Sequence, residues 1–300
     1  MAVITEAGFT NSVQPGVKRS FAGELNNAPE RSLVGNLYKM DSSEKPDEKY
    51  LEIEDMGSIP VFTGDLSYTE FREGNSKTLT HEERAMGLKI QRKLIDDDLY
   101  GIIDAMVRQM GVSMRYCYES NAAAPFVNAF NTTYTVFDGL SLCSGSHAFL
   151  STSTTQSNSG TLPFSYANLD STLIAMRKYK NSRDRFVNNM NPDMLLIPVD
   201  LDSTARETIE SKLKPGTANN NINAYNNKFT IMSTVFLTDT NDWFLIDSNM
   251  LKKYLIWIQR IPTEFANDGA FDNLVKKYRV YSRFSNSPIH WIPVYGHSVT

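Results

Sequence analysis

Residues Leu94 to Phe130 constrain the fold most, because they read as one helix longer than an ordinary domain needs. Apolar side chains recur at Leu99, Ile102, Ile103, Met106, Met110, Met114 and Cys117. Steps of three and four place them on one helical face. From Asp98 to Ala124 such a helix would be about 40 Å long at roughly 1.5 Å per residue, against a usual helix of about 11 residues. Asp96, Asp97 and Asp98 are expected to cap it, since the unpaired amides of a helix N-terminus carry partial positive charge. Adjacent residues point around a helix, so three carboxylates there converge poorly on one metal ion. Pro125 is expected to kink or end the helix. Gly101 and Gly111 each cost about 1 kcal/mol relative to Ala, so packing must compensate. A helix of this length is a strut across a domain.

The segments on either side differ from it. Met1 to Lys49 is polar and punctuated by Pro15-Gly16, Asn26-Asn27-Ala28-Pro29 and Ser42 to Lys49. It reads as an extended arm with one short helix, either loose or lying on a neighbour. Leu51 to Leu94 reads as a β-hairpin. Leu66 to Phe71 alternates as a strand, the chain turns at Glu73 to Ser76 and returns through Lys77 to Thr80, and Met86 to Arg92 alternates again. Lys77 is expected to be a solvated turn residue. An isolated two-stranded hairpin is marginal in water, so this one needs a partner.

After the strut, Val136 to Cys143 reads as a turn and short strand, and Ser144 to Thr161 as an exposed polar loop. Tyr166 to Lys178 has helical periodicity. Asp193 to Val199 suits a buried strand, and Asp200 or Asp202 caps a helix running to Leu213. Pro215 to Asn227 is a polar, Asn-rich loop. Lys228 to Leu237, Trp243 to Asp247, Tyr254 to Arg260, Lys276 to Phe284 and Ile289 to Tyr295 read as strands. Helices and strands alternate irregularly, which makes the class α+β.

Composition excludes several functions. The 300 residues carry a net charge of −4 and contain no long cationic run, so tight electrostatic binding of nucleic acid is not indicated. The two cysteines, Cys117 and Cys143, make no disulfide framework and suit a reducing compartment. The first twenty residues lack a basic n-region followed by an apolar run, so no secretory signal is expected. No stretch approaches the roughly 18 consecutive apolar residues of a membrane span. His81, His290 and His297 lack metal-ligand spacing, and no phosphate-binding glycine pattern is present. Cys143 and His147 flank Ser144-Gly145-Ser146 at a spacing that permits a thiolate–imidazole contact, but no orienting third group accompanies them. Tyr278, Tyr281, Phe284, Trp291 and Tyr295 read as core. No catalytic, cofactor-binding or metal-ligating residue is therefore assigned.

From Gly57 to His297 the order of segments resembles the major capsid proteins of tailed bacteriophages, and within them the Mu-like major head subunits. Tyr68 to Phe71 with Glu82 to Arg92 is similar to the family's extended loop. Lys93 to Leu99 resembles the acidic start of its spine helix. Asp138-Gly139-Leu140-Ser141-Leu142-Cys143-Ser144 with Ser146-His147 resembles the segment after the spine, with Cys143 where an aromatic is common and Ala148 where a proline is common. Asn191 to Pro198 with Leu201 and Ala205, and Asn241 to Ile246, resemble axial-domain segments. Tyr278 to Phe284 and Trp291 to Gly296 resemble closing strands of the peripheral domain.

The resemblance implies a Hong Kong 97-like phage major capsid fold in five parts: an N-terminal arm (1–50), an extended loop (51–94), a peripheral domain with the spine (95–165), an axial domain (166–248) and C-terminal peripheral strands (249–300). It implies a structural subunit, not an enzyme, that self-assembles into the pentamers and hexamers of an icosahedral virion head in the bacterial host cytoplasm. The head would enclose double-stranded DNA without sequence-specific binding, need no cofactor, contact no membrane, and meet scaffold, portal and decoration proteins. The alternatives are an encapsulin-like compartment shell and a cysteine hydrolase using Cys143 and His147.

Overall fold

The computed structural model describes residues 18–299 except 27–31, 57, 63, 65, 67, 69–72, 98–100, 150–151, 216–220 and 271–273. The described part of the N-terminal arm is folded onto the chain itself. A helix over 18–26 (α1) crosses the spine at Gly111, where a Cβ would stand 2.9 Å from the Phe21 carbonyl oxygen and 3.2 Å from Glu24 Cβ. Gly111 is thus required by close approach, not tolerated despite its helical cost. Phe21 stacks on Phe265 with centroids 4.9 Å apart. A short helix, α2 (Leu33–Leu37), follows. The Glu119 carboxylate accepts the Leu33 N–H at 2.8 Å and so caps it from across the fold. Then come β1 (Lys39–Ser42) and β2 (Asp47–Ile53).

The next strands pair differently from the expected hairpin. β3 (Glu73–Thr80) runs antiparallel to β2, from Asp47 opposite Thr80 to Ile53 opposite Glu73. The loop therefore springs from 54–72, one strand earlier than the sequence suggests. Of the expected strand Leu66 to Phe71, Leu66 and Tyr68 are not in a strand and most of the rest lies outside the described residues. The Met86 to Arg92 run belongs to β4 (Glu82–Gln91), which pairs with a C-terminal strand instead of returning to the loop.

The helix α3 (Arg92–Asp96) separates β4 from the spine α4 (Ile102–Val127). Asp96 and Asp97 end α3, and Asp98 and Leu99 lie outside the described residues. The spine begins one turn later, after Gly101 in the left-handed region (φ 67°), with Asp104 in its first turn. The expected capping by Asp96 and Asp97 is therefore corrected. A glycine able to take positive φ breaks the helix ahead of its longest apolar run. Pro125 lies inside the spine, two residues before its end. Proline supplies no N–H to the Asn121 carbonyl, and the Asn286 amide donates to that oxygen at 2.7 Å instead.

Beyond the spine come β5 (His147–Phe149), β6 (Thr152–Gln156), β7 (Ser159–Gly160), α5 (Tyr166–Arg177), β8 (Met194–Pro198) and α6 (Asp202–Glu210). Next are β9 (Thr230–Thr234), β10 (Trp243–Ile246), α7 (Ser248–Tyr254), β11 (Leu255–Ala270), β12 (Val275–Pro288) and β13 (Val294–His297). The expected exposed loop at Ser144 to Thr161 thus holds the β5–β6 pair and a buried Asn158.

Two sheets carry the architecture. One has the order β1-β11-β12-β4 and supports the spine; the other has the order β7-β13-β10-β8-β9. In the second, β8 and β10 are buried along their whole length, so their apolar runs do not alternate. β13 pairs with β10 there, so Val294 to Gly296 closes this sheet and not the spine-supporting one. The two sheets are joined by one contiguous core. Among the described residues no helix is long and apolar enough to cross a membrane.

Gly111→Val is expected to push α1 off the spine and lower stability by about 1–3 kcal/mol, read as the subunit's thermal midpoint. Gly23→Ala, at a position with nothing within 4 Å, should leave that midpoint unchanged or slightly higher.

Candidate functional site

The most exposed apolar stretch of the chain is the loop between β2 and β3. Ile59 is 97% exposed, Val61 87% and Tyr68 91%, and Phe62 and Leu66 are also exposed. Side chains of this kind on one projecting segment mark an interaction surface. The first turns of the spine add Ile102 and Met106, which face solvent although the sequence places them on the packed face.

The strands at the root of this loop are fixed by charge. Lys77, expected to be a solvated turn residue, lies within β3 and faces inward. Its ammonium donates to the Pro288 carbonyl at 2.9 Å and to the Thr135 carbonyl. Burial pushes it down to about 8. Turn chemistry at Glu73 to Ser76 suggested a bend, but strand pairing with β2 overrides it. On β2, Glu52 accepts from the Asn75 N–H. Burial raises its carboxyl, and the nearby Asp138 and Asp55 raise it further against that hydrogen bond.

The post-spine turn supplies a second charged group. Gly139 takes positive φ (78°) and the Asp138 carboxylate accepts the Leu140 N–H, which sets the turn. Asp138 Oδ2 stands 2.6 Å from His147 Nδ1, and His147 Nε2 stands 3.1 Å from Asn158 Oδ1. Asn158 donates to the carbonyls of Leu142 and Val294 and accepts from the Ser144 N–H, so its oxygen must face the imidazole. Both ring nitrogens therefore meet acceptors. Trp291 stacks on the ring at 4.7 Å. Burial raises the Asp138 carboxyl, but the hydrogen bond and charge of His147 outweigh burial and hold it below its ordinary value.

The thiolate–imidazole contact that the sequence spacing permits is not made. His147 has no nitrogen left for Cys143. Cys143 is buried beside Gly296 and Phe244, and burial pushes its thiol well up. The other histidines are structural. His297 accepts the Leu162 N–H, meets the Thr172 hydroxyl at 2.9 Å and stacks on Trp243, and burial brings it to about 4. Burial, with the nearby His147, likewise brings His290 to about 4. Among the described residues no group of three or more His, Cys, Asp or Glu side chains is placed to hold a metal ion. A groove of about 410 Å³ runs beneath α1. Its main polar group, the Tyr118 hydroxyl, already bonds to Thr263 and Ser282.

The geometry is that of a structural subunit with a projecting apolar loop. The sequence matches the family model described as phage capsid protein over residues 76–294. The chain belongs to the phage capsid protein family. Its structure is similar to the procapsid of bacteriophage JBD30, with TM-score 0.58 and 14% identity over 99% of this chain and 77% of that one. It is also similar to the mature capsid of bacteriophage PhiM1, with TM-score 0.61 and 9% identity over 92% and 89%. A virus-like particle from Pyrococcus furiosus matches with TM-score 0.55 and 10% identity over 95% and 98%. No curated protein matches. Family and fold make the chain a phage major capsid protein of Hong Kong 97-like fold, a structural protein and not an enzyme. The family match favours the phage head over an encapsulin-like shell.

Asp138 contributes stability that is present above its unfolded value of about 4 and is lost as pH falls through its lower folded value. Asp138→Asn should cost about 3 kcal/mol at neutral pH and flatten the acid limb of a stability-against-pH curve. In the native capsid protein, Cys143 should resist a thiol-directed probe at neutral pH and react only after denaturation.

Proposed function

We propose that this capsid protein forms the shell of a tailed double-stranded DNA phage head by self-assembly into pentamers and hexamers, and that the loop at 54–72 clasps a neighbouring subunit. The observation that carries this reading is the loop itself: Ile59, Val61, Phe62, Leu66 and Tyr68 follow a strand pair fixed at the root, and among the described residues nothing covers them. A fold that leaves such a surface open is completed by assembly. Obligate contacts of this kind bury on the order of 2,000–5,000 Å². Exposed Ile102 and Met106 at the start of the spine suit the same purpose.

The region from Tyr166 to Ser248, which supplies β8, β9 and β10 of the five-stranded sheet, would with β13 be the axial domain at the capsomer centre. The spine with β11 and β12 would be the peripheral domain. Residues 1–17 of the arm lie outside the described residues. A net charge of −4 suits a wall that holds DNA without gripping it, since a strongly cationic wall would bind phosphates and release counterions. Scaffold, portal and decoration proteins would be its partners, and the bacterial host cytoplasm its place of assembly.

Negative-stain microscopy of the purified protein should show capsomers, shells or tubes; a purely monomeric protein at assembly concentrations would sink the reading. Particles carrying protein cargo and no genome-length DNA would point to the encapsulin-like alternative. The double variant Val61→Asp, Phe62→Asp should fold normally, because both side chains are exposed in the subunit, and should lose closed shells. Normal shells from it would remove the loop from the assembly contact.

A further inference from the structure

Past Ile53 the chain leaves the β2–β3 ladder, and its next three residues are held by a different part of the fold. Glu54 is 4% exposed, and its Oε2 accepts from the Arg183 guanidinium at 2.8 Å. The Asp55 carboxylate accepts from the Ser182 hydroxyl at 3.1 Å and the Ser182 N–H at 3.3 Å, and the Asp55 N–H donates back to the same hydroxyl at 3.1 Å. Arg183 Nε donates to the Asp55 carbonyl at 3.2 Å, and Arg185 donates to the Met56 carbonyl. One partner of each of these bonds lies in residues 54–56, at the root of the exposed apolar stretch.

The turn that makes these bonds is also held by bonds that do not involve the loop. Asn181 Oδ1 accepts the N–H groups of Arg183 and Arg185 at 3.1 and 3.0 Å, and the Asn181 N–H donates to the Arg185 carbonyl at 2.7 Å. Asp184 takes positive φ (58°) and pairs with Lys180 at 2.9 Å. The Gln156 side chain bonds both the N–H and the carbonyl of Lys180, tying the turn to β6. The turn thus has a hydrogen-bond network that does not involve the loop, whereas residues 54–56 belong to no strand or helix. A preorganised partner directs a flexible one.

We infer that the 181–185 turn is a holdfast that aims the assembly loop from within its own subunit, with Arg183 as the positioning residue. This rests on the reading of 54–72 as the clasp. The physical case is the buried carboxylate. Among the described residues Glu54 Oε1 has no hydrogen-bond partner, and Arg183 is the cation paired with this carboxylate. Without Arg183 the cheapest response is for residues 54–56 to swing into water, and the loop then points in no fixed direction. The aim of the loop is thereby set before a neighbour is met, which lowers the ordering cost of assembly.

The test is hydrogen exchange of the full-length protein followed by mass spectrometry, together with negative-stain microscopy. Arg183→Ala should speed exchange across 50–56 by about tenfold or more, leave β8 and β10 unchanged, and yield open sheets or irregular particles. Arg183→Lys should restore most of the protection, and Ser182→Ala should give a smaller local effect if Arg183→Ala folds poorly. Unchanged exchange at 50–56, or equal acceleration in β8 and β10, would overturn the holdfast. If the unmodified protein forms no particles, the clasp reading fails, and the exchange result still decides whether the turn holds the loop root.

Discussion

Twenty-six residues of helix lie across the β11–β12 ribbon, and the contact between them is made by one aromatic cluster. Trp257 and Phe284 stack on the sheet at 4.7 Å, and Tyr118 from the spine meets both edge-on. Tyr38 packs on Trp257 and donates to the Ala122 carbonyl. Rings of this size contribute large buried area and a preferred geometry. The polar ends of the cluster are used as well, since the Tyr118 hydroxyl, Gln259 and Ser282 form one network with the Ile261 carbonyl. The arm, the spine and the C-terminal strands are all defined relative to this contact. Without it the glycine at 111 has no helix to receive, and the proline at 125 has no asparagine to answer its missing donor.

A second constraint acts at the other end of the molecule. The chain buries charge where it could have buried hydrocarbon. Lys77, the Asp138–His147 pair and the Glu54–Arg183 pair surround the strands that carry the apolar loop. Buried ion pairs add little net stability compared with apolar packing, but breaking one is costly, so they specify geometry. That suits a subunit whose most exposed apolar residues must be presented at a set angle, and it explains why potential chemistry such as that of His147 is fully committed to structure.

Several elements were legible in order. The spine follows from the apolar spacing: of the residues read from it, Met110 and Met114 are buried and Ile103 and Cys117 pack against the core, whereas Ile102 and Met106 are exposed. The runs Met194 to Ile197 and Trp243 to Ile246 are buried strands as their unbroken apolar character suggests. The aspartates before the spine were misread, because a carboxylate can cap a helix or follow one, and only Gly101 decides which. The hairpin was misread for a related reason. β3 and β4 each alternate, and alternation says that a strand has two faces without saying which strand it pairs with. The Asp138–His147–Asn158 pin was half visible, since Asp138 and His147 lie in the segment that carries the family resemblance, but Asn158 sits in a Ser/Thr-rich stretch that reads as loop.

By itself the sequence determined the long apolar helix and the order of the segments, because these depend on local periodicity and on residue type, and that order carried the family resemblance. Tertiary structure alone decided which strand lies beside which, that the arm folds back on the spine, and that Arg183 meets Glu54 across 129 positions of chain. Long-range pairings are set by the complementarity of whole surfaces. No local pattern in the chain encodes that quantity.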